Sequence, residues 1–178
     1  MTTGHIMMAM SLDGFVARPD HALDWLNKQA TQDEDHGFAE FQERMDVIVM
    51  GSGSFRTVLG FGGWPYTIPC IVLSRKLTEE GVPLELRDRV EVSTLEPKAL
   101  LASLEKRGLK QAYVDGGAII RSFIQAGLIE DMKISIVPIL LGEGIRLFGS
   151  NDTDIDLDLV SSTAFPSGLV DLEYKVKR

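Results

Sequence analysis

The apolar residues of this chain fall into short unbroken runs that stop at glycine, separated by stretches with helical spacing. Residues 5–11, built on Ile6-Met7-Met8-Ala9-Met10, read as a first strand, and Phe15-Val16-Ala17 follows a turn at Asp13-Gly14. Residues 33–44 read as a helix, because Phe38, Phe41 and Met45 recur at helical spacing. Val47-Ile48-Val49-Met50 is too short for a helix and apolar throughout, as a strand covered on both faces is. A helix opens after it and runs to about Leu59. Cys70-Ile71-Val72-Leu73 is another such strand, and residues 90–92 a weaker one. Pro97 starts a helix that closes at Gly108. Residues 111–114 give the next strand, and a helix over 118–126 stops at Gly127. Strands are expected over 131–137, 156–164 and 169–176, the last two joined at Pro166-Ser167-Gly168 into an antiparallel hairpin. Alternating strands and helices that finish antiparallel predict one α/β domain over residues 1–178. It has three layers: a mixed, mostly parallel sheet with helices on both faces.

One arrangement occurs twice. A short β-branched strand runs into glycine and a helix opens at once, at Met50-Gly51-Ser52-Gly53-Ser54 and again at Val114-Asp115-Gly116-Gly117-Ala118. The free N–H groups of a helix start favour an anion, and glycine lets a phosphate approach closely. Two such turns at the carboxyl ends of parallel strands could clasp a pyrophosphate from both sides. The same glycines also serve as tight strand-to-helix turns with no ligand. Neither turn is a nucleotide fingerprint, since Arg56 stands where the dinucleotide pattern has its third glycine and no Gly-Lys-Ser/Thr is present.

Charge narrows the partners. The 178 residues carry 26 acidic and 18 basic side chains, a formal charge of −8, and the pI is near 4.9. That balance argues against nucleic-acid duplexes and anionic membranes, while leaving room for one phosphorylated small molecule. The single cysteine, Cys70, allows no internal disulfide. His5, His21 and His36 share no metal-ligand spacing, so no metal is expected. The N-terminal apolar run is short and lacks a basic flank, and a soluble cytoplasmic protein is expected. Asp35, three residues before Phe38 and six before Phe41, falls on the apolar face of the predicted helix. A carboxyl there has its charged form disfavoured and becomes a candidate proton donor, although a first-turn carboxylate is the plainer role. Asp13 is a second candidate, with turn duty before Gly14 as its simpler explanation. Asp152, Asp154, Asp156 and Asp158 alternate with Ile155, Leu157 and Leu159 and read as the solvent face of a strand. Cys70 reads as buried and inert. Trp25 and Trp64-Pro65-Tyr66 either wall a planar ligand or cap the core.

The segment from Met10 through Ser11-Leu12-Asp13-Gly14 to Ala17, the Val-Met-Gly turn at Gly51 and Asp115-Gly116-Gly117 together resemble the dihydrofolate-reductase-like superfamily. They are most similar to the reductase domain of the bifunctional riboflavin-biosynthesis deaminase–reductase and its stand-alone bacterial relatives. Gly127-Leu128-Ile129-Glu130-Asp131, Pro138 through Gly142, and Leu23-Asp24-Trp25-Leu26 extend the resemblance over nearly the whole chain. It implies a nicotinamide-dependent reductase with NADPH across the carboxyl edge of the sheet. Ala9 and Phe15, Val16 and Ala17 would flank the nicotinamide. Gly51, Ser52, Gly53 and Ser54, with Gly116, Gly117, Ala118 and Ile119, would hold the phosphates. Ser74 and Arg75 would sit beside the adenosine 2′-phosphate. Asp35, sixteen residues before Gly51, matches the substrate-binding carboxylate of the superfamily, with Asp13 as a second polar contact. The family's Gly-Arg-x-Thr turn reads Gly51-Ser52-Gly53-Ser54 here, so Arg75 or Arg56 would have to supply the lost charge, and NADH is the alternative cofactor. Asp115 stands where the riboflavin enzymes usually have Glu. The expectation is hydride transfer to a C=N or C=O bond of a pteridine-like or ribosylamino-pyrimidine-like molecule, by a homodimer. A non-catalytic nucleotide-binding homodimer and a true dihydrofolate reductase are the alternatives.

Overall fold

The computed structural model describes residues 1–177. The order of elements is β1 (Thr3–Ser11), β2 (Phe15–Ala17), α1 (Asp24–Asn27), α2 (Phe38–Glu43), β3 (Val47–Gly51), α3 (Ser52–Leu59), β4 (Cys70–Leu73), β5 (Val90–Ser93), α4 (Pro97–Lys106), β6 (Gln111–Asp115), α5 (Gly117–Gln125), β7 (Ile129–Val137), β8 (Ile145–Arg146), β9 (Leu157–Ala164) and β10 (Val170–Val176).

Eight strands form one sheet in the order β5-β4-β3-β6-β1-β7-β10-β9, and β2 pairs separately with β8. From β5 to β7 every neighbouring pair is parallel. β10 then runs antiparallel to β7, and β9 antiparallel to β10. The sequence dictates this division: parallel strands need both faces covered, and the undivided apolar runs of β3 and β4 supply both. Alternate side chains of these strands feed two cores. Ile6, Val47, Val49, Val114 and Ile134 point to the face under α4 and α5. Met7, Ile48, Met50, Val72 and Tyr113 point to the face under α2 and α3.

Two expectations change, and two elements were not expected at all. The helix expected from residue 33 begins at Phe38, because Gly37 takes a positive φ of 75° and breaks the pattern. Phe38 is itself 42% exposed, so its spacing with Phe41 did not mark one buried face. The acidic alternation ahead of the C-terminal hairpin is also not one solvent face opposite a core. β9 starts at Leu157 and is exposed along its whole length, Leu159 and Val160 included. Finally, the four-residue α1 and two-residue β8 carry no sequence period. Tertiary packing holds them, with Trp25 of α1 fully buried against Val137 and Leu169.

Candidate active site

The chain enters β3 and β6 side by side, and leaves them in opposite directions. From β3, α3 covers one face of the sheet on the way out to β4, whereas from β6, α5 covers the other face on the way to β7. The carboxyl ends of β3 and β6 therefore flank a switch point, where an open α/β sheet leaves a crevice. The starts of α3 and α5 face it, and neither carries a side-chain cap, so their first-turn N–H groups are open to an anion. Glycine is required for this closeness. A Cβ on Gly51 would stand 3.1 Å from Cγ1 of Ile119 on the opposite turn. Gly116 has a φ of +88°, and a Cβ there would collide with Ser54 Oγ.

The crevice widens into a cleft of about 600 Å³. Its floor is Asp115 at the end of β6, half-buried and within reach of Tyr113 Oη, which donates to Oδ1 at 3.4 Å. The Ser54 hydroxyl and the Gly116 N–H also donate to this carboxyl. Burial outweighs these three donors and raises the carboxyl above its ordinary range. Tyr66 closes the same floor, with its phenol pushed up by burial and by the nearby Asp115. Trp64 packs edge-on against Tyr66 and Phe55, so this aromatic cluster serves the core and presents Tyr66 to the cleft.

The rim over the first glycine turn comes from the loop between β2 and α1. Arg18 and Asp24 close it with a two-pronged pair at 2.6 and 2.9 Å. His21 at its tip takes a left-handed φ of 68° and donates its N–H to Arg18 O at 2.9 Å. Its imidazole lies on Gly53, where a Cβ would come within 2.7 Å of Cε1. At the opposite end, past β4, stand Ser74, Arg75 and Lys76. Ser74 Oγ accepts from the N–H groups of Lys76 and Leu77 at 3.2 and 3.0 Å, and Arg75 pairs with Glu96 at 2.6 Å in the open.

The structure gathers most of the residues singled out in the sequence. Gly51, Ser52, Gly53 and Ser54 line the cleft from one side, and Gly116, Gly117, Ala118 and Ile119 from the other. Val16 and Ala17, Ser74 and Arg75 complete it, whereas Arg56 is exposed and outside the lining. Ala9 does not reach the cleft and packs with Trp25 and Val137 instead. Phe15 lies buried 4.7 Å beneath the Arg146 guanidinium, with Val16 and Ala17 carrying the segment to the lining.

Two carboxylates require correction. Asp35 is exposed, lies before the helix and accepts the Gly37 N–H at 2.7 Å, so the apolar-face placement does not hold. Its neighbours point inward in its stead. Glu34 accepts from Ser167 N and Oγ at 2.8 and 2.6 Å, and His36 Nδ1 lies 3.0 Å from the buried Asp171. Asp13 is fully engaged in holding a loop. It accepts from Ser11 Oγ at 2.6 Å, from Gly142 N at 2.7 Å and from Leu141 N at 3.1 Å. Led by Ser11, these donors lower its pKa to about 2. Neither Asp13 nor Asp35 lines the cleft. Sequence reading passed over His21 and gave Asp115 no chemical role. The available signals were a histidine in a short turn ahead of the glycine loop, and a carboxylate ending an otherwise apolar strand.

Among the described residues no cluster of His, Cys, Asp and Glu is arranged to hold a metal ion, and no helix is long and apolar enough to cross a membrane.

Comparison with known proteins gives a consistent outcome. Over 94% of this chain and 91% of its own length, the uncharacterised protein YyaP of Bacillus subtilis is 28% identical. A crystal structure from Shewanella sp. PV-4, of a protein provisionally assigned to riboflavin biosynthesis, superposes with a TM-score of 0.92 at 35% identity, covering 99% of this chain and all of that one. The Thermotoga maritima diaminohydroxyphosphoribosylaminopyrimidine deaminase/5-amino-6-(5-phosphoribosylamino)uracil reductase shares the fold, with a TM-score of 0.76 at 15% identity over 99% of this chain and 57% of that longer one. The mixed sheet with its antiparallel C-terminal hairpin is thus the dihydrofolate-reductase-like fold of these reductase domains. A family model for the RibD C-terminal domain matches residues 3–170, and the chain belongs to that family of riboflavin-biosynthesis-related reductase domains.

Proposed function

We propose that this protein is an NADPH-dependent reductase that delivers hydride to a C=N or C=O bond of a pteridine-like or ribosylamino-pyrimidine-like molecule. The observation that carries the reading is the pair of uncapped helix starts facing each other across the crevice between β3 and β6. A bound dihydronicotinamide supplies the hydride. The protein's part is to bind, orient and protonate. First-turn N–H groups of α3 and α5 would hold the pyrophosphate, and Val16 and Ala17 would lie against the nicotinamide. Arg75 and Lys76 are the cations placed for a 2′-phosphate, in place of the arginine that Ser52 replaces. Asp115 takes the part first expected of Asp35. Its carboxyl, held toward the neutral form by burial, would give a proton to the nitrogen or oxygen of that bond as hydride arrives on carbon. We further propose a single functional domain over residues 1–178, acting as a homodimer. The exposed β9 edge is the support for a second copy, since it offers unpaired backbone beside Leu159 and Val160.

Fluorescence titration with NADPH and NADH tests the cofactor directly. Micromolar NADPH binding with weaker NADH binding is expected, and absence of both defeats the reading. Asp115→Asn tests the mechanism. It should leave NADPH affinity within about twofold and lower kcat by about 100-fold or more.

A further inference from the structure

The two ends of the cleft differ in chemistry. Beyond β4 it carries Arg75 and Lys76. On the side of α3 and the β2–α1 loop it is walled by Leu23, Val58, Tyr66 and Phe61, the last 58% exposed to the opening. The polar groups on that floor are the Asp115 carboxyl and a single phenol, that of Tyr66, and neither is a cation. Thr57 spends its hydroxyl on Gly53 O at 3.2 Å. His21 lies on Gly53 at the start of α3, beside the turn that faces the pyrophosphate. Nearby arginines are engaged: Arg18 with Asp24 at 2.6 Å, Arg146 over the Phe15 ring at 4.7 Å, and Arg121 with the Arg146 carbonyl. Arg75 stands two strands out from β6, roughly 10 Å at the usual spacing between strands. Among the described residues no lysine or arginine lines the end beside Leu23, Val58 and Phe61.

A phosphomonoester brings about 1.5 to 2 negative charges, and a site that holds one supplies cations or several N–H donors. An apolar wall over a carboxyl floor does the reverse, because desolvating a phosphate there without partners is costly. A flat ring suits the same surfaces. Tyr66, Phe61 and Val58 would cover its faces, and Asp115 would accept from a ring or amino N–H. We infer that the substrate end takes an uncharged, N–H-bearing heterocycle that carries no phosphate. The inference rests on the reductase reading and narrows it. It separates this chain from the Thermotoga maritima reductase, which is named for a substrate that bears a phosphoribosyl group.

The experiment is calorimetric titration of the protein saturated with NADP⁺, using 5-amino-6-(ribosylamino)uracil and the same compound with its 5-phosphate. The riboside should bind at least about tenfold tighter than the phosphate, the ratio that one unmet polar group produces. Equal or tighter binding of the phosphate overturns the inference, and so does failure of both to bind. A separate titration with NADP⁺ alone keeps the two readings apart. Loss of that binding with the riboside still bound would overturn the cofactor assignment and leave the substrate inference standing.

Discussion

A carboxylate's role here is decided by what donates to it. Asp13 and Asp115 directly precede a glycine and Asp35 stands two residues before one, and only the structure separates them. Asp35 caps a turn in solvent, Asp13 fastens one loop to another, and Asp115 alone opens onto the cleft. Neighbours in sequence could not reveal this, because beside the local Ser11 the backbone donors to Asp13 come from residues 141 and 142. The Asp13 assignment carries a pH signature. Its folded pKa of about 2 lies below the unfolded value, so its stabilisation is complete above the unfolded pKa and is lost as pH falls through about 2. Asp13→Asn should therefore melt at a lower temperature than the parent at pH 7, with the gap narrowing steadily below about pH 4. Thermal melts of both proteins across that range check it, and a gap that persists in acid would assign Asp13 a role other than that of a charged acceptor.

At the level of elements, legibility follows burial. β3, β4 and β6 were readable because strands covered on both faces leave unbroken apolar runs, and the two glycine turns were readable because strand and helix change over at one residue. α2 misled because a half-exposed Phe38 mimics a helical stripe. β8 is invisible in sequence, yet it sets the geometry of the second turn. It pairs with β2 and lays the Arg146 carbonyl against α5, where a Cβ on Gly117 would stand 2.6 Å from that oxygen. Backbone cannot retreat as a side-chain tip can. Gly117→Ala should cost about 1–3 kcal/mol of stability, by forcing β8 and α5 apart. Chemical denaturation measures the loss, and NADPH affinity should fall with it if the α5 start helps to hold the pyrophosphate. An unchanged midpoint would show that β8 is not fixed against α5.

Taken as a whole, the molecule is asymmetric. Its parallel half ends under helices, whereas its antiparallel half ends at β9, bare on both faces. Free edges of this length invite pairing unless charge or proline blunts them, and a second copy would cover Leu159 and Val160 together. Val160→Lys should convert the protein to monomer in sedimentation equilibrium without unfolding it. A parent that already sediments as monomer would remove the dimer from the account. The well-covered half holds another resource in Cys70. This lone thiol is fully buried in β4, and burial pushes its pKa up to about 12. A thiol reagent therefore meets it only when the sheet opens, which makes the rate of its labelling a clock for opening, built in without any engineered probe. A ligand bound only to the closed form slows that clock by a factor of one plus the ratio of its free concentration to its Kd. NADPH at about 100 times its Kd should slow labelling about 100-fold, so one buried residue behind the cleft lining can report on what the cleft holds.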